Sequence, residues 1–599
     1  VAGPDETQSL IDYGQADDGG VGTWGPVNDD IGVSVDGVEE TMEKLSSPDP
    51  FTATYQMPNG DIVVSNLPLE DLLDPDYDEG PTLQTAWTAP DESVVPIAQH
   101  QILVWFKDTA SAEDIQDFID EHNLQVIFSW FEPGATSGNV NAWFQFQYDP
   151  EDYATFDDIY TAFGEDELVA AVSPNIISDF SNQYSDEDRG WSPGEADEFW
   201  PGWTVGAVHW YGDSACDAYG MLTNPYVELG PESAHPMGTE TDAKMSDQVT
   251  AVVDDGVWRP HEDFTTGLSV DSAPNNSLGI QNKISWIGVN VFDHSYVVGN
   301  KSTQCGEPIE NPHNSNYVDS HGTQVAGTIT AGTFNKTSSM DSYGVGTSSL
   351  APDICVLPLR LKHDSATGFN TAAVIKAIRS LRFEFNHGAW LEKVRVINMS
   401  LGGIGKYSLW PVDSMKSEIQ ADLNLNDRLY VAAAGNDGSD ELFYPAAFSN
   451  CLGVSGLRAY YTGSSWAFTV APGSNYDLDA YKVSGIFEFY NTGGLTWRFQ
   501  FLPVPDGSEW DPYDYEPHSS SSGYEFFSGT SFATPQVSAL AALLYDAKAQ
   551  ASESTTYDDV RSRIIDTAGD TVTGGSPERS VSGLISFYDA LSGWGINEE

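Results

Sequence analysis

Apolar and polar positions fall into regular patterns in two stretches of this chain, separated by segments that carry no period. In the first stretch, residues 101–106 predict a strand, and residues 111–123 predict a helix whose apolar Ile115, Phe118 and Ile119 share one face. Residues 124–131 and 141–148 read as two more strands, 155–163 as a second helix and 168–172 as a last strand. This β-α-β-β-α-β order predicts a small ferredoxin-like α+β domain over residues 98–178. In the second stretch, strand-like runs at 248–253, 354–361, 394–399 and 428–433 alternate with helical patterns such as 371–382 and 414–423. Such alternation predicts a parallel sheet with helices on both faces, and it places functional groups at the carboxyl ends of the strands. Residues 179–205 carry Asp, Glu, Ser, Gly and Pro without period and read as a linker. Before residue 98 the signal is one hairpin, 51–55 and 61–65 flanking Pro58, Asn59 and Gly60. The expected organisation is an N-terminal extension (1–97), the small domain (98–178), the linker (179–205) and a large α/β domain (206–599).

Composition changes that picture in one respect, charge. The 599 residues hold 25 Lys plus Arg against 90 Asp plus Glu, a net of -65. So acidic a surface repels phosphate backbones and anionic lipid, which excludes nucleic acid and membrane surfaces as partners. The charge is uneven: residues 1–205 hold 43 acids and three bases (Lys44, Lys107, Arg189), and the remainder holds 47 acids and 22 bases. The extension is therefore acidic as well as poorly patterned. Its run Asp74 to Gly80 starts like a calcium loop, but the Gly stands seventh and no acid stands twelfth, so a solvated acidic loop is the expectation. No apolar run approaches the ~18 residues of a membrane span. The chain begins at Val1 with no signal segment before the fold, as signal-peptide removal leaves it, which points to an extracellular or cell-surface protein. Cys216, Cys305, Cys355 and Cys451 lie far apart, and they fit two disulfides as well as four buried thiols.

Candidate chemistry sits at three strand ends and helix starts. Val252-Val253-Asp254-Asp255-Gly256 ends a buried strand in a carboxylate and a tight turn. Ser320-His321-Gly322-Thr323 opens a helix of small residues, and Ser528-Gly529-Thr530-Ser531 sets a serine at the start of a helix running to Ala547. Backbone donors and a positive helix end surround such a serine. Pro535 is expected to be tolerated because a first helical turn has no internal partner for its missing N–H.

These segments resemble the subtilisin-like serine proteases, the subtilases, in motif and in the order Asp, His, Ser. Supporting runs agree: Asn398-Met399-Ser400-Leu401-Gly402-Gly403 is similar to the family's substrate-binding strand, and Ala434-Gly435-Asn436-Asp437-Gly438 to its oxyanion-hole segment. The resemblance covers about residues 205 to 595 and implies a secreted serine endopeptidase. Asp254, His321 and Ser531 would be catalytic and Asn436 would hold the oxyanion. Ser400, Leu401, Gly402, Ala434 and Gly435 would bind an extended protein or peptide substrate. No cofactor is needed for the chemistry; structural calcium is compatible with the surplus of carboxylates, with no ligand set to name. His261 resembles a structural His of the family. Asp255 is a departure, since Ser or Thr is more usual there.

The resemblance also makes residues 98–178 an inhibitory propeptide, the enzyme's own partner, with a maturation cut expected between Ile176 and Trp203; a permanent structural domain is the alternative. Two further departures are the 66 residues between Asp254 and His321 and an insertion over about 474–524. A second reading of the whole chain is a surface or filament protein that keeps the fold and self-assembles through a retained N-terminal region.

Overall fold

β-branched and aromatic runs assemble into two main sheets, one small and antiparallel, one large and parallel at its centre. The computed structural model describes residues 43–45, 49–57, 61–67, 83–88, 94–131, 142–178, 248–257, 259, 264, 283–285, 287–299, 321–330, 350–351, 354–361, 369–381, 393–404, 412–461, 466–489, 527–574 and 579–594. The Pro58 to Gly60 turn, the Asp74 to Gly80 run, the linker from 179 to 205, Cys216, His261 and Cys305 lie outside the described residues.

In chain order, the first elements are β1 (Glu43–Leu45), β2 (Ala53–Gln56), β3 (Ile62–Ser65), β4 (Gln84–Thr88) and β5 (Val94–Phe106). Next come α1 (Ala112–Glu121), β6 (Gln125–Phe131), β7 (Ala142–Gln147), α2 (Phe156–Gly164) and β8 (Val169–Ser178). Four of the strands bond antiparallel in the order β8-β5-β7-β6. Ser111 and Thr155 start the two helices with capping boxes closed by Asp114 and Asp158. Ile102, Val104 and Phe106 pack with Ile115, Phe118, Ile159 and Phe163 on the helical side of this sheet.

Two strands are longer than the sequence pattern predicts. β5 begins at Val94 and crosses the expected boundary at 98, because Val94 to Ala98 pair with β4. It bends at His100, whose φ is 58°. β8 continues through Ile176 to Ser178, since Ile177 and Ser178 pair with Asn370 and Phe369. The expected maturation window therefore opens inside a strand at its first three residues.

The second half begins with β9 (Val249–Asp254), β10 (Gly288–Val291), β11 (Ser295–Gly299), α3 (His321–Thr330), β12 (Cys355–Arg360), β13 (Phe369–Asn370) and α4 (Thr371–Ser380). It continues with β14 (Val394–Met399), β15 (Gly403–Ile404), α5 (Val412–Asn426), β16 (Leu429–Ala433), β17 (Phe443–Tyr444), β18 (Leu452–Tyr461), β19 (Trp466–Val470) and β20 (Tyr481–Ile486). The last elements are β21 (Glu488–Phe489), β22 (Phe527–Ser528), α6 (Thr530–Gln550), α7 (Tyr557–Thr567), β23 (Val572–Gly574), β24 (Arg579–Val581) and α8 (Phe587–Leu591).

The large sheet runs β1-β2-β3-β11-β10-β12-β9-β14-β16-β18, with β19 and β20 both on β18. From β10 through β18, and on to β20, neighbours are parallel. Successive strand residues point to opposite faces, and the core follows that period. Val249, Ala251 and Val253 of β9 join Ile375, Ile378 and Ile419 of α4 and α5. Val252 joins Val325 and Ile329 of α3 and Val537 and Leu540 of α6. Leu103, Trp105, Phe128 and Trp143 of the small sheet extend the α4 side of that core. Helices thus cover both faces, and β9 with its Asp254 lies central and dry.

The stretch expected to be an insertion from 474 is, at its start, part of this core. Tyr481 to Ile486 form β20, and Ser474 and Asn475 are fully buried. Cys355 and Cys451 are free thiols, both buried, and burial pushes the Cys355 thiol up to about 12. Among the described residues no helix is long and apolar enough to cross a membrane.

Candidate active site

Asp254 is the last residue of β9 and is fully buried. The chain then turns at Gly256, whose φ of 114° is a left-handed conformation that glycine adopts at no steric cost. This turn faces the start of α3. A Cβ on Gly322 would stand 2.9 Å from Asp254 Cβ and 3.0 Å from Asp255 Oδ1, so the bare glycine lets the helix start sit directly on the strand end. His321, the first residue of α3, is 4% exposed. Its Nδ1 lies 2.8 Å and 3.0 Å from the two Asp254 oxygens. That contact fixes the ring orientation and leaves Nε2 as the nitrogen available for proton transfer.

Asp255 holds the same helix by its backbone. Its Oδ2 accepts from His321 N (3.0 Å) and its Oδ1 from Gly322 N (2.7 Å). Two of the donors that a helix start leaves without internal partners are thereby satisfied by the Asp255 carboxyl oxygens. Burial, and then the neighbouring Asp254 charge, raise the Asp255 carboxyl above the ordinary range, against the pull of His321 and the two N–H groups. The residue that departs from the family pattern therefore serves as a cap for α3.

Ser531 is the second residue of α6 and is partly exposed. Its hydroxyl donates to Ser400 O (3.2 Å), while Ser400 Oγ donates to Ser531 O (2.7 Å). The second bond has a specific cause. Pro535 is the sixth residue of α6, beyond the first turn where the sequence reading placed it. It has no N–H to give to the carbonyl four residues earlier, which is that of Ser531. Ser400 supplies the missing donor. Asn398 Nδ2 in turn donates to Ser400 Oγ (3.0 Å), and Ser538 Oγ donates to Asn398 Oδ1 (2.8 Å), so the end of β14 is stitched to α6. The Phe532 ring lies 5.7 Å from the His321 ring, which brings the Ser531 and His321 helix starts side by side.

Asn436 is oriented from α6 as well. Its Oδ1 accepts from Thr530 N (2.8 Å) and Thr530 Oγ1 (2.9 Å). A Cβ on Gly529 would stand 3.2 Å from Asn436 Nδ2. Asn475, unremarked in the sequence, holds the loop from the other side. Its Oδ1 accepts from Asp437 N (2.9 Å) and Ser439 N (3.2 Å), and its Nδ2 donates to Ala434 O (3.0 Å). The Ala471-Pro472-Gly473 turn just before Asn475 was the available signal.

Of the residues expected to pair with a peptide, Ala434 and Gly435 have their amides committed within the fold. Ala434 N donates to Val454 O (3.0 Å) and Gly435 N to Thr530 Oγ1 (3.1 Å). Ser400, Leu401 and Gly402 instead lie between β14 and β15, outside either ladder. Among the described residues no group of three or more His, Cys, Asp or Glu is placed to hold a metal ion.

A model of the subtilase family (Peptidase_S8) matches residues 246–583, more than half of the chain. Thermitase of Thermoactinomyces vulgaris is 28% identical over 290 residues, which is 47% of this chain and 76% of thermitase. Halolysin of Haloferax mediterranei is 30% identical over 332 residues, which is 54% of this chain and 52% of halolysin. The chain thus spans about half the length of that relative. The crystal structure of fervidolysin from Fervidobacterium pennivorans, a keratinolytic enzyme related to subtilisin, aligns over 83% of this chain and 61% of its own, with a TM-score of 0.48 and 19% identity.

Proposed function

The chain belongs to the subtilase family, and on that premise we propose that it is a serine endopeptidase in which Ser531 is the nucleophile, His321 the base and Asp254 the group that orients it. The observation that carries the assignment is the buried contact of His321 Nδ1 with both Asp254 oxygens, beside the helix start that bears Ser531. The Ser531 hydroxyl rests on Ser400 O, and rotation to another staggered well turns it toward the imidazole. His321 Nε2 takes its proton as Oγ bonds to the scissile carbonyl carbon, and Asp254 stabilises the imidazolium. Asn436 Nδ2 and the Ser531 backbone N–H receive the oxyanion. The imidazolium then protonates the leaving amine as the C–N bond breaks, and water repeats the sequence on the acyl-enzyme. An oxyanion-hole Asn of this kind contributes about 10²- to 10³-fold in kcat, a magnitude established in subtilisin itself.

Ser400, Leu401 and Gly402 are the segment proposed to pair with an extended peptide. Residues 98–178 are proposed as an inhibitory propeptide: β8 leads from the small sheet directly onto β13 at the edge of α4, and the acidic linker that follows offers a cutting site after Ser178. An extracellular or cell-surface location accompanies this reading.

A serine-directed phosphonate tests the catalytic assignment. It is expected to label the active chain once, at Ser531, and to leave Ser531→Ala unlabelled. Equal labelling of the two proteins would remove Ser531 as the nucleophile.

A further inference from the structure

Residues 49–57 and 61–67 precede the small sheet in sequence, yet they touch both halves of the molecule. At one end Asp49 accepts hydrogen bonds from Phe51 N (2.8 Å), Phe131 N (2.9 Å) and Ser129 Oγ (3.1 Å). The hydroxyls of Thr52 and Ser129 are 2.5 Å apart, and the Phe51 ring stands edge-on to Phe144 at 5.0 Å. Apart from the local bond from Phe51 N, these contacts fall on β6 and β7. At the other end β3 is a strand of the large sheet: Ile62, Val63, Val64 and Ser65 pair antiparallel with Val298, Val297, Tyr296 and Ser295 of β11. Ser65 Oγ adds a bond to His294 O (3.1 Å). Asn66 joins the two attachments, because its Nδ2 donates to Val126 O of β6 and its Oδ1 lies 3.3 Å from His294 Nδ1. Ile62 and Val64 are buried in one core with Tyr296 and Val298 of β11 and with Trp105, Phe128 and Trp143 of the small sheet.

We propose that residues 49–57 and 61–67 form a clasp that keeps the N-terminal part of the chain bound to the catalytic sheet after the linker is cut, so that one maturation cut does not release the small domain. The proposal rests on the reading of residues 98–178 as a propeptide. Strand addition supplies main-chain hydrogen bonds whatever the side chains are. A fragment held at two places leaves only when both let go, since the one still attached keeps the other at roughly millimolar effective concentration. Departure of β3 would also bare β11 as an unpaired edge with apolar Tyr296 and Val298, an unfavourable state for a sheet. The clasp thus acts in addition to the contacts that the small sheet makes with α4.

The test uses the full chain carrying Ser531→Ala, with the recognition sequence of an unrelated protease inserted between residues 179 and 205. After that protease has cut the linker, the sample is diluted and release of the N-terminal fragment is followed by gel filtration. Co-elution of the fragment with the catalytic part is expected. Asn66→Ala should release it about tenfold faster and Val63→Pro faster still, while Gln116→Ala, on the exposed face of α1, should release it at the parent rate. If Val63→Pro fails to fold, Asn66→Ala decides alone. Separation immediately upon cutting, or equal rates for Asn66→Ala and the parent, would overturn the clasp. The N-terminus of the unaltered chain is sequenced in parallel: absence of a self-made cut refutes the maturation reading, whereas the clasp result stands because the cut was supplied from outside.

Discussion

Helices α1, α2 and α7 carry their own starts, whereas the helices that bear His321 and Ser531 borrow theirs. In the first group Ser111, Thr155 and Thr556 each close a capping box with an Asp three residues on. In the second, α3 is capped by Asp255, 66 positions earlier and just past β9. The start of α6 has Gly529 at its cap, with no side-chain bond of its own; Thr530 N donates instead to Asn436 Oδ1, in the loop after β16, and Ser400 Oγ, just past β14, donates to the Ser531 carbonyl. A local cap sets whether a helix begins; a borrowed cap also sets where it begins relative to the sheet. Reacting groups must be held within fractions of an ångström, and misplacement by about 1 Å costs about 10²-fold in rate. The borrowed caps put that positional control on the strands that end at the site.

The contrast is broken most severely by Asp255→Ala, which leaves two buried helix-start donors without an acceptor. Each such loss costs about 1–3 kcal/mol, and kcat/KM should fall by about 10²-fold. Thermal unfolding and steady-state kinetics check both; full activity in the variant would show that α3 is placed by its packing alone. Because burial and Asp254 raise the Asp255 carboxyl, its neutral form is favoured in the fold. Stability should therefore decline as pH rises above the ordinary carboxylate range, and Asp255→Asn should show less of that decline.

Asp49 is a second long-range acceptor and has the next largest effect. Burial holds it at about 6 against an ordinary 3.8. A raised value means that the protonated form stabilises the fold fully below about pH 4 and that this contribution is lost as pH rises through about 6; two units correspond to about 3 kcal/mol. Melting temperatures measured across that window should slope in the parent and flatten in Asp49→Asn, and identical slopes would count against it.

Ser400→Ala comes third. It strands the Ser531 carbonyl that Pro535 cannot serve, at about 1–3 kcal/mol, and should lower kcat more than it raises KM. Restoration by Ser400→Thr would tie the loss to the hydroxyl. The smallest effect belongs to a self-made cap: Thr556→Ala should cost about 1 kcal/mol in thermal stability and leave kcat/KM unchanged. Any drop in kcat/KM there would erase the distinction between the two kinds of helix start.

The same distinction explains what the sequence made legible. Strand 394–399 and the helices that start at Ser111 and Thr155 are written within a few residues of themselves, and apolar period reveals them. Asp254, His321 and Ser531, the residues proposed as catalytic, stand out in the sequence because each lies at a strand end or helix start inside a dense local motif. The duties of Asp255, Ser400 and Asn475 were not visible, since each depends on a partner brought near by the parallel sheet. Pro535 was read as harmless at a helix start, yet its position creates the need that Ser400 fills. The start of the expected insertion proved to be β20, because its alternation was weak where glycine and serine face a crowded core. The pairing of β3 with β11 had no short-range signature at all.

That last pairing has a temporal side. Ser65 and His294 are 229 positions apart, and a chain made at about 5–20 residues per second takes roughly ten to fifty seconds to pass from one to the other. Asp49 and Thr52 find Ser129 and Phe131 within about 80 positions, so their half of the segment is ready early in synthesis. In that interval Ile62 and Val64 would have no β11 to pair with, while their core partners Trp105, Phe128 and Trp143 of the small sheet would already have been made. In a chain that folds as it is made, β11 would be the late arrival, and β3 the strand that the large sheet closes onto last.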